Sequence, residues 1–399
     1  MGGAKAWWQE QQERGFTAIE GNVCTDCFSD TAIKKYINEN ANARKCDFCD
    51  RASKKNIAAP LDDVMGVIMS GIAYEWNNPD NEGISYESAE GGYQAALTSF
   101  DELIRYYDMI ENEKVTETIL KNVTDDAWVE RDFYIGSEGQ RFKWAWDAFC
   151  HEVTYKKRFL FLHQDHKEEY SSPEISPAKF LYELADYKNR KLDTVTLIKV
   201  VQSGTSIYRV RAGKEKYNTA KELGPPPHEH ASQTNRMSPA GIPMFYGAFD
   251  ANTSVKETYD PKRGKKKYIS IGEFHPIRDL YFLDLGSLPA IPSVFDADGR
   301  HLIQPLLFFH GFATDIAKPI SRNGKEHIEY VPTQIVTEFF KHIYKTSGGQ
   351  RLDGIIYKSS KKEDSESCVI FCENHQVCDR GETKDGCLLS LKKTEYKLG

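Results

Sequence analysis

Three residues of different chemical type lie close together in the second half of the chain. Arg236 precedes Tyr246 by ten positions, and Glu257 follows the tyrosine by eleven. A guanidinium binds phosphate oxygens through paired hydrogen bonds, and a tyrosine ring offers a face for a flat base. A fixed carboxylate can stabilise positive charge that develops on a sugar ring. These residue types together predict a pocket that cleaves a dinucleotide.

The first four cysteines predict a metal site. Cys24 and Cys27 form one C-x2-C pair, Cys46 and Cys49 form another, and eighteen residues separate the two pairs. This spacing is typical of a structural zinc site with four thiolate ligands, which leaves no position open for a catalytic water. The alternative is four free cysteines.

A second group of sulfur and imidazole side chains lies near the end of the sequence. In a reducing compartment, clustered thiols indicate a metal before a disulfide. The run 368–372 has the apolar pattern of a buried strand, and core or surface thiols are favoured over a second zinc. The members of this group are Cys368, Cys372, His375, Cys378 and Cys387.

The composition is that of an ordinary soluble globular protein. Of the 399 residues, 40% are hydrophobic and 28% are charged, and the formal net charge is −7. That charge argues against a protein that coats nucleic acid, because such binding needs clustered Lys and Arg. No run of 18 apolar residues occurs, and the first residues lack the order of a signal peptide. We therefore expect a cytoplasmic protein without membrane contact.

Hydrophobic periodicity changes near residue 190. Before that point the apolar residues recur at helical spacing, as in 64–72 after Asp62 and Asp63, and in 142–153. After it, short β-rich runs alternate with one well-delimited helix that starts at Pro332. The pattern predicts three domains: a zinc-knuckle segment at 1–55, a helical domain at 56–190, and a mixed α/β domain at 191–399.

Several familiar chemistries lack their sequence motifs. The chain contains no G-x-G-x-x-G, P-loop, H-E-x-x-H or G-x-S-x-G motif. His228 and His230 are two positions apart in a proline-rich loop, which is more typical of a surface than of a metal site. Arg158 and His163 match the R-x4-H pattern of HEPN ribonucleases, but Phe159 stands where those usually have a polar residue.

The second half of the chain resembles the RES domain family over about residues 195–399. Tyr208 and Arg209 are similar to the family's opening Tyr-Arg. The block from Arg236 to Tyr246 is similar to its Arg-Trp-Asn-Pro-Pro-Gly block with the tyrosine, except that Met237 replaces the tryptophan. Glu257 stands at the family spacing, and 353–359 resembles the strand that ends in a conserved serine, which places that serine at Ser359 or at the adjacent Ser360. The cysteines and 144–159 resemble the N-terminal domain of a HEPN-associated subgroup.

The resemblance implies both a fold and a substrate. RES domains are similar in fold to ADP-ribosyltransferases and act as toxins that destroy NAD. The resulting architecture is an α+β multidomain protein with an N-terminal zinc ribbon and helical bundle. Transferred to this sequence, the implied catalytic residues are Glu257, Arg209 and Ser359, and the implied substrate-binding residues are Arg236, Tyr246 and Tyr208.

The hypothesis at this level is an NAD glycohydrolase or phosphorylase, acting as a bacterial toxin or anti-phage effector with a structural zinc. Expected partners are NAD, an antitoxin or an activating phage or host factor, and further copies of the chain in a homo-oligomer. One alternative is an ADP-ribosyltransferase that modifies a macromolecule. Another is a nucleic-acid sensor or ribonuclease that works through the N-terminal region.

Overall fold

The computed structural model forms two compact units. It describes residues 14–89, 91–124, 127–134, 136, 138–162, 175–183, 197–261, 267–318, 324–346, 348–359, 361–362, 365–382 and 384–398. One unit comprises 1–141 together with 291–304, and the other comprises 142–290 together with 305–399. The domain boundaries at residues 55 and 190 stay predictions, and the second of them falls in 184–196, outside the described residues.

The N-terminal unit consists of helices with short two-stranded pairings. Its described strands are β1 Asn22–Cys24, β2 Ala58–Pro60, β3 Trp76–Asn77, β4 Tyr86–Glu87, β5 Gly92–Tyr93 and β6 Val129–Glu130, paired as β1 with β2, β3 with β6 and β4 with β5. Its described helices are α1 Thr31–Asn40, α2 Leu61–Glu75, α3 Phe100–Tyr107 and α4 Glu113–Asn122.

Local sequence signals account for these helices. The Asp30 side chain accepts hydrogen bonds from the first turn of α1, and Ser99 and Glu102 form a capping box at the start of α3. Each such cap stabilises a helix by about 1 kcal/mol. The helix predicted after Asp62 and Asp63 is confirmed as α2, except that it begins at Leu61, so the two aspartates lie in its first turn, and its apolar face is buried. A core forms on that face, shared with Phe295 from the second segment of the unit.

The C-terminal unit is built on one mixed sheet. The described strands pair in the order β14-β15-β10-β8-β9-β13-β12-β11-β7, with β11–β12 and β14–β15 parallel and the other neighbours antiparallel. These strands are β7 Ile198–Val201, β8 Ile207–Gly213, β9 Phe245–Ala248, β10 Tyr268–Pro276, β11 Leu280–Asp284, β12 Gly354–Lys358, β13 Glu366–Ile370, β14 Val377–Cys378 and β15 Leu389–Leu398. The predicted mixed α/β fold of this half is confirmed.

Helices accompany the sheet. α5 Glu138–Tyr155 enters this unit at residue 142, and residues 177–183 are helical and form α6. The others are α7 Ala220–Leu223, α8 Ala251–Thr258, α9 Ile303–Ala317, α10 Glu326–Glu329 and α11 Val331–His342. The helix that was expected from Pro332 is confirmed as α11, with proline in its first turn.

An aromatic cluster joins α5, α6 and α9. The rings of Phe149 and Phe180 stack at 5.1 Å, and Trp146 meets Phe312 edge-on at 5.4 Å. The indole of Trp146 also donates a 3.2 Å hydrogen bond to the carboxylate of Asp315. From residue 142 onward, α5 therefore packs with the C-terminal unit, although its sequence was assigned to the preceding helical domain.

The sheet has a weak join between β8 and β9. These strands pair at a single position, Tyr208 opposite Ala248, whereas β8 pairs with β10 along seven positions. Beyond that position, hydrogen bonds of the sheet no longer hold the two strands together. The functional site described below lies at this join.

Within the described ranges, no helix combines the length and the apolar character that crossing a membrane requires.

Candidate active site and metal centre

A cavity of about 420 Å³ lies beside the β8–β9 join in the C-terminal unit. Four of the six predicted site residues line it, namely Arg209, Arg236, Tyr246 and Glu257. Two strands, a loop and a helix carry these residues, so the fold brings them together from separate parts of the sequence.

Arg209 reaches across the join. It follows Tyr208 on β8, so its side chain leaves the opposite face of the sheet. Its Nη1 donates a 2.7 Å hydrogen bond to the carbonyl oxygen of Tyr246 on β9, and its guanidinium lies 5.2 Å from the ring centre of Phe245. Burial lowers the pKa of Arg209 to about 10. The side chain still carries its positive charge at neutral pH.

Tyr246 lies on the sheet face that the cavity exposes. Its hydroxyl is 2.9 Å from the hydroxyl of Ser238, a buried residue of the preceding loop. Burial raises the pKa of Tyr246 to about 12, so the phenol stays neutral. Because the hydroxyl is held by Ser238, the ring is fixed and can present its face to a ligand.

Glu257 is supplied by α8 and is contacted by Ser359. The Asp250 side chain caps α8 through a 2.9 Å hydrogen bond from the amide of Thr253. The Glu257 carboxylate is exposed, lines the cavity, and accepts a hydrogen bond from the hydroxyl of Ser359. The assignment of Ser359 as the serine of the site stays a prediction, and Ser360 lies outside the described residues.

The turn around Ser359 fixes that serine. Its amide donates a 2.8 Å hydrogen bond to the carbonyl of Ser365, and its hydroxyl accepts a 3.2 Å hydrogen bond from the amide of Lys361. A hydroxyl that accepts from the backbone in this way has its proton free for Glu257. Ser359 therefore contacts the Glu257 carboxylate and does not itself line the cavity.

Arg236 is held by α9 and by the start of α11. Its Nη1 donates a 2.9 Å hydrogen bond to the carbonyl of Asp315, and its guanidinium lies 4.8 Å from the ring centre of Tyr330. The hydroxyl of Thr333 donates a 2.6 Å hydrogen bond to the Arg236 carbonyl. Burial lowers the pKa of Arg236. These contacts set the direction in which the guanidinium meets the cavity.

Tyr208 is placed differently from the other predicted residues. It is half-buried and packs against the cluster of Val210, Ile269 and Ile271, and it is not among the residues that line the cavity. Its role in substrate binding stays a prediction. Met237, the departure from the family motif, is 1% exposed and lines the cavity wall.

Two further cavity residues were missed at the sequence level. Tyr357 on β12 and Ser367 on β13 lie directly opposite each other in the sheet and both line the cavity. Burial raises the pKa of Tyr357 well above its usual value, and the nearby Tyr246 and Glu257 raise it further. Alternation within the predicted strands was the available signal, but it cannot say which face of a strand meets a cavity.

The cavity wall carries more positive than negative charge. Its cationic side chains include Arg209, Arg211, Arg236 and Lys318, whereas Glu257 is the carboxylate that lines it among the described residues. Such a wall suits a ligand with negative charge along its length and one centre of developing positive charge.

Comparison with known families decides the classification of this half. Residues 206–392 match the RES domain family model. These residues form a RES domain. RES domains are a family associated with NAD-related toxin activity, and every cavity residue named from the family motifs falls inside the matched range. Residues 39–167 match HEPN/RES N-terminal domain 1, so the resemblance is confirmed for both parts of the chain. No curated protein and no solved structure matches the chain significantly.

The four cysteines that were predicted to bind metal ahead of the RES domain form a cluster of thiols in the N-terminal unit. The sulfur atoms of Cys24, Cys27, Cys46 and Cys49 all lie within 4.8 Å of one another. Cys24 and Cys49 are separated by 3.5 Å, and Cys27 and Cys46 by 3.7 Å. Four sulfurs about 2.3 Å from a central zinc would lie about 3.8 Å apart at tetrahedral angles. The cluster could therefore hold a metal ion.

Backbone contacts bring the two cysteine pairs of this cluster together. The amide of Asp47 donates a 2.8 Å hydrogen bond to the carbonyl of Asn22, and the Asp47 carboxylate accepts one of 2.7 Å from the Asn22 amide. Arg51 and Asp26 form an ion pair of 2.5 Å beside them. Burial raises the pKa of the Cys24 thiol to about 11, and a bound cation would favour the thiolate instead.

Two of the four C-terminal cysteines are core thiols, as the sequence favoured, and the other two are joined in a disulfide. Cys368 and Cys372 are buried in the sheet core. Cys378 and Cys387 form a disulfide, a pairing that the sequence interpretation had placed behind metal binding. Among the described residues, the only group of three or more potential ligands close enough for a metal is the N-terminal cluster.

Of the remaining motifs, the histidine pair reaches the site, because His230 lines the cavity, whereas Arg158 does not line it. The Arg158 guanidinium donates to the carbonyls of Val153, Thr154 and His327 at 3.3–3.4 Å. His163, its partner in the ribonuclease pattern, lies outside the described residues. His228 contacts Glu373 at 3.2 Å on the exposed surface.

Proposed function

We propose that this chain degrades NAD by cleaving the bond between nicotinamide and ribose. The observation that carries the proposal is the Glu257 carboxylate, hydrogen-bonded by Ser359, in a cavity that also presents Arg209, Arg236 and the Tyr246 ring. RES domain membership supports NAD as the substrate.

The charges of the cavity fit the charges of NAD. Arg209 and Arg236 offer planar groups to the pyrophosphate, which carries negative charge between the two nucleosides. Tyr246 offers its ring face to nicotinamide. Their backbone contacts hold the two arginines in place before the ligand arrives, which lowers the entropic cost of binding.

Glu257 acts where positive charge develops. When the bond from the ribose carbon to the nicotinamide nitrogen breaks, its electron pair leaves with neutral nicotinamide, and the sugar becomes an oxocarbenium-like cation. The carboxylate stabilises that cation, and the hydrogen bond from Ser359 fixes its position. Loss of one such electrostatic contact costs about 100- to 1,000-fold in rate. An oxygen of water or phosphate then bonds to the sugar carbon and loses its proton.

The finer architecture is part of the same proposal. We propose that zinc occupies the four-cysteine cluster and that its role is structural, because a site of four sulfur ligands has no open position. The RES domain is proposed to share its fold plan with ADP-ribosyltransferases. Depletion of NAD would make the chain a cytoplasmic toxin or anti-phage effector, restrained by an antitoxin or started by a phage or host factor, with the N-terminal half in a regulatory or homo-oligomerising role.

The test is nicotinamide release from NAD by the purified chain, with and without phosphate, beside Glu257→Gln. We expect release by the wild type and a loss of about 100-fold or more in the variant. Glu395→Gln, an exposed carboxylate outside the cavity, serves as the control. Dependence on phosphate would identify a phosphorylase, and release without it a glycohydrolase. Equal rates for wild type and Glu257→Gln would refute the assignment.

Two further measurements separate the alternatives. Transfer of label from NAD onto protein or nucleic acid would identify an ADP-ribosyltransferase that uses the same cavity. RNA cleavage that is abolished by His163→Ala and unaffected by Glu257→Gln would identify a ribonuclease instead.

A further inference from the structure

Ser367 has a buried hydroxyl without a hydrogen-bond partner among the described residues. The residue is 1% exposed, and its Oγ forms no hydrogen bond with any described residue. A buried hydroxyl is normally hydrogen-bonded, because burial without a partner removes its bonds to water and gives nothing in return. Ser367 is therefore an exception that needs a physical reason.

The sheet aims this hydroxyl into the cavity. Ser367 lies opposite Tyr357 on β12 and opposite Ala248 on β9, and two positions further along β13, Val369 lies opposite Tyr246. Residues directly opposite each other in antiparallel strands point to the same face. Tyr246, Tyr357 and Ser367 thus share one sheet face, and all three line the cavity.

The neighbouring polar groups are already engaged. The Tyr246 hydroxyl is bonded to Ser238, and Arg209 donates to the Tyr246 carbonyl. Glu366, the residue before Ser367, leaves the other face and contacts Lys199 at 3.0 Å and the hydroxyl of Ser287 at 2.6 Å. On this face the Ser367 hydroxyl remains available, between two tyrosine rings.

We propose that Ser367 binds the carboxamide of the nicotinamide ring. This assignment rests on the proposed function, and it names the residue that recognises the leaving group. A hydroxyl can donate to the carbonyl oxygen of a carboxamide and accept from its NH₂ group. Tyr246 and Tyr357 flank the hydroxyl and offer faces to the flat ring. Glu257 lines the same cavity, so the ribose attached to a ring seated here extends into the space that the carboxylate borders.

The test is a cycle that pairs a side-chain change with a ligand change. Binding of nicotinamide and of pyridine, which lacks the carboxamide, is measured by calorimetry for the wild type and for Ser367→Ala. We expect the ratio of nicotinamide affinity to pyridine affinity to be about tenfold higher in the wild type than in the variant, because the variant lacks one hydrogen bond to the carboxamide. Pyridine should bind both proteins equally.

The stability of the free protein gives a second readout. Because the Ser367 hydroxyl has no partner among the described residues, Ser367→Ala should leave the unfolding midpoint unchanged or raise it. Ser238→Ala is the matched control: it is a buried serine of the same cavity whose hydroxyl is bonded to Tyr246, and its removal should lower the midpoint.

The outcomes separate this inference from the proposed function. If the wild type releases nicotinamide but the ratio of nicotinamide to pyridine affinity is the same in both proteins, the role of Ser367 is refuted and the function stands. If Ser367→Ala lowers the midpoint as Ser238→Ala does, the hydroxyl is structural. If the wild type neither binds nicotinamide nor cleaves NAD, the proposed function fails and this assignment fails with it.

Discussion

Arg209 and Tyr246 are joined by a 2.7 Å hydrogen bond from a side chain of β8 to the backbone of β9. The two strands pair at only one position, so this guanidinium takes the place of hydrogen bonds that a continuous sheet would supply. The Arg209 guanidinium thereby limits the separation of β8 and β9 beyond their single paired position, and the same guanidinium lines the cavity. Arg209 consequently contributes to the shape of the site as well as to its charge.

Replacing Arg209 with lysine separates these two contributions. Arg209→Lys keeps the positive charge but loses the planar fork, so both NAD turnover and stability should fall, the latter by about 1–3 kcal/mol. Arg380→Lys is the control, because Arg380 is an exposed arginine of the same unit that does not line the cavity. Denaturant unfolding and nicotinamide release check the result. Equal unfolding midpoints for Arg209→Lys and the wild type would contradict the bridging role.

Removing the Ser359 hydroxyl should slow the reaction without weakening substrate binding. Ser359 contacts the Glu257 carboxylate and does not line the cavity, so it positions that carboxylate rather than touching NAD. Ser359→Ala should lower kcat about tenfold, the usual value of one hydrogen bond to a charged group, and leave KM nearly unchanged. Ser360→Ala is the matched control, and a larger loss in that variant would move the serine of the site by one position.

Arg236 makes the opposite prediction for the kinetic constants. Its guanidinium is held by the Asp315 carbonyl and the Tyr330 ring, and it is proposed to bind the pyrophosphate, which does not change during the reaction. Arg236→Lys should therefore raise KM for NAD by about tenfold with a smaller effect on kcat. A fall in kcat at constant KM would show that Arg236 acts in the transition state instead.

Particular residues show how much of the candidate site could be predicted from the sequence. Residue type and spacing were enough to select Arg236, Tyr246 and Glu257, whereas Arg209 was selected from the resemblance to the RES family's opening Tyr-Arg. Tyr208 was selected on the same basis but packs beside the cavity. It lies opposite Ala248 and so shares the sheet face of Tyr246. Its side chain packs on the cluster of Val210, Ile269 and Ile271, and that contact depends on long-range pairing. Tyr357 and Ser367 depend on the register between β12 and β13, which is a long-range property.

For the fold as well, local features could be predicted from the sequence and long-range pairing could not. Helices with strong caps and periodicity, such as α2 and α11, were predictable from local sequence. The strand order and the weak β8–β9 join were not predictable, because the sequence of β8 carries no signal for the strand that pairs with it. The pairing of Cys378 with Cys387, nine residues apart, was missed because a reducing compartment was assumed, in which clustered thiols indicate a metal before a disulfide.

The four-cysteine cluster should hold about one zinc per chain. Cys27→Ser removes one buried ligand and should lose the metal and lower the unfolding midpoint, because binding energy at such a site is folding energy. Metal content by mass spectrometry and thermal unfolding measure both effects. Cys150→Ser, outside the cluster, should retain the metal. A wild-type protein that contains no zinc after purification in zinc-supplemented medium would contradict the assignment.

His228 should make the stability of the chain depend on pH. Its Nδ1 contacts the Gly241 carbonyl at 3.3 Å and its Nε2 contacts the Glu373 carboxylate at 3.2 Å, and these two contacts raise the pKa of His228. Because the folded pKa exceeds the unfolded value of about 6.5, the stabilisation is complete below the unfolded value. It is lost as the pH rises through the folded pKa.

The variant that tests this pH dependence is His228→Ala. Its unfolding midpoint should be lower than that of the wild type at pH 5.5 and nearly equal to it at pH 8.5. His342→Ala is the control, because His342 is an exposed histidine at the end of α11. Glu373→Gln should remove the part of this pH dependence that the carboxylate supplies, since the neutral amide no longer favours the charged imidazole. The part that remains would come from the contact of Nδ1 with the Gly241 carbonyl, which this variant keeps. An equal difference between wild type and His228→Ala at both pH values would mean that the contact is held by packing rather than by charge.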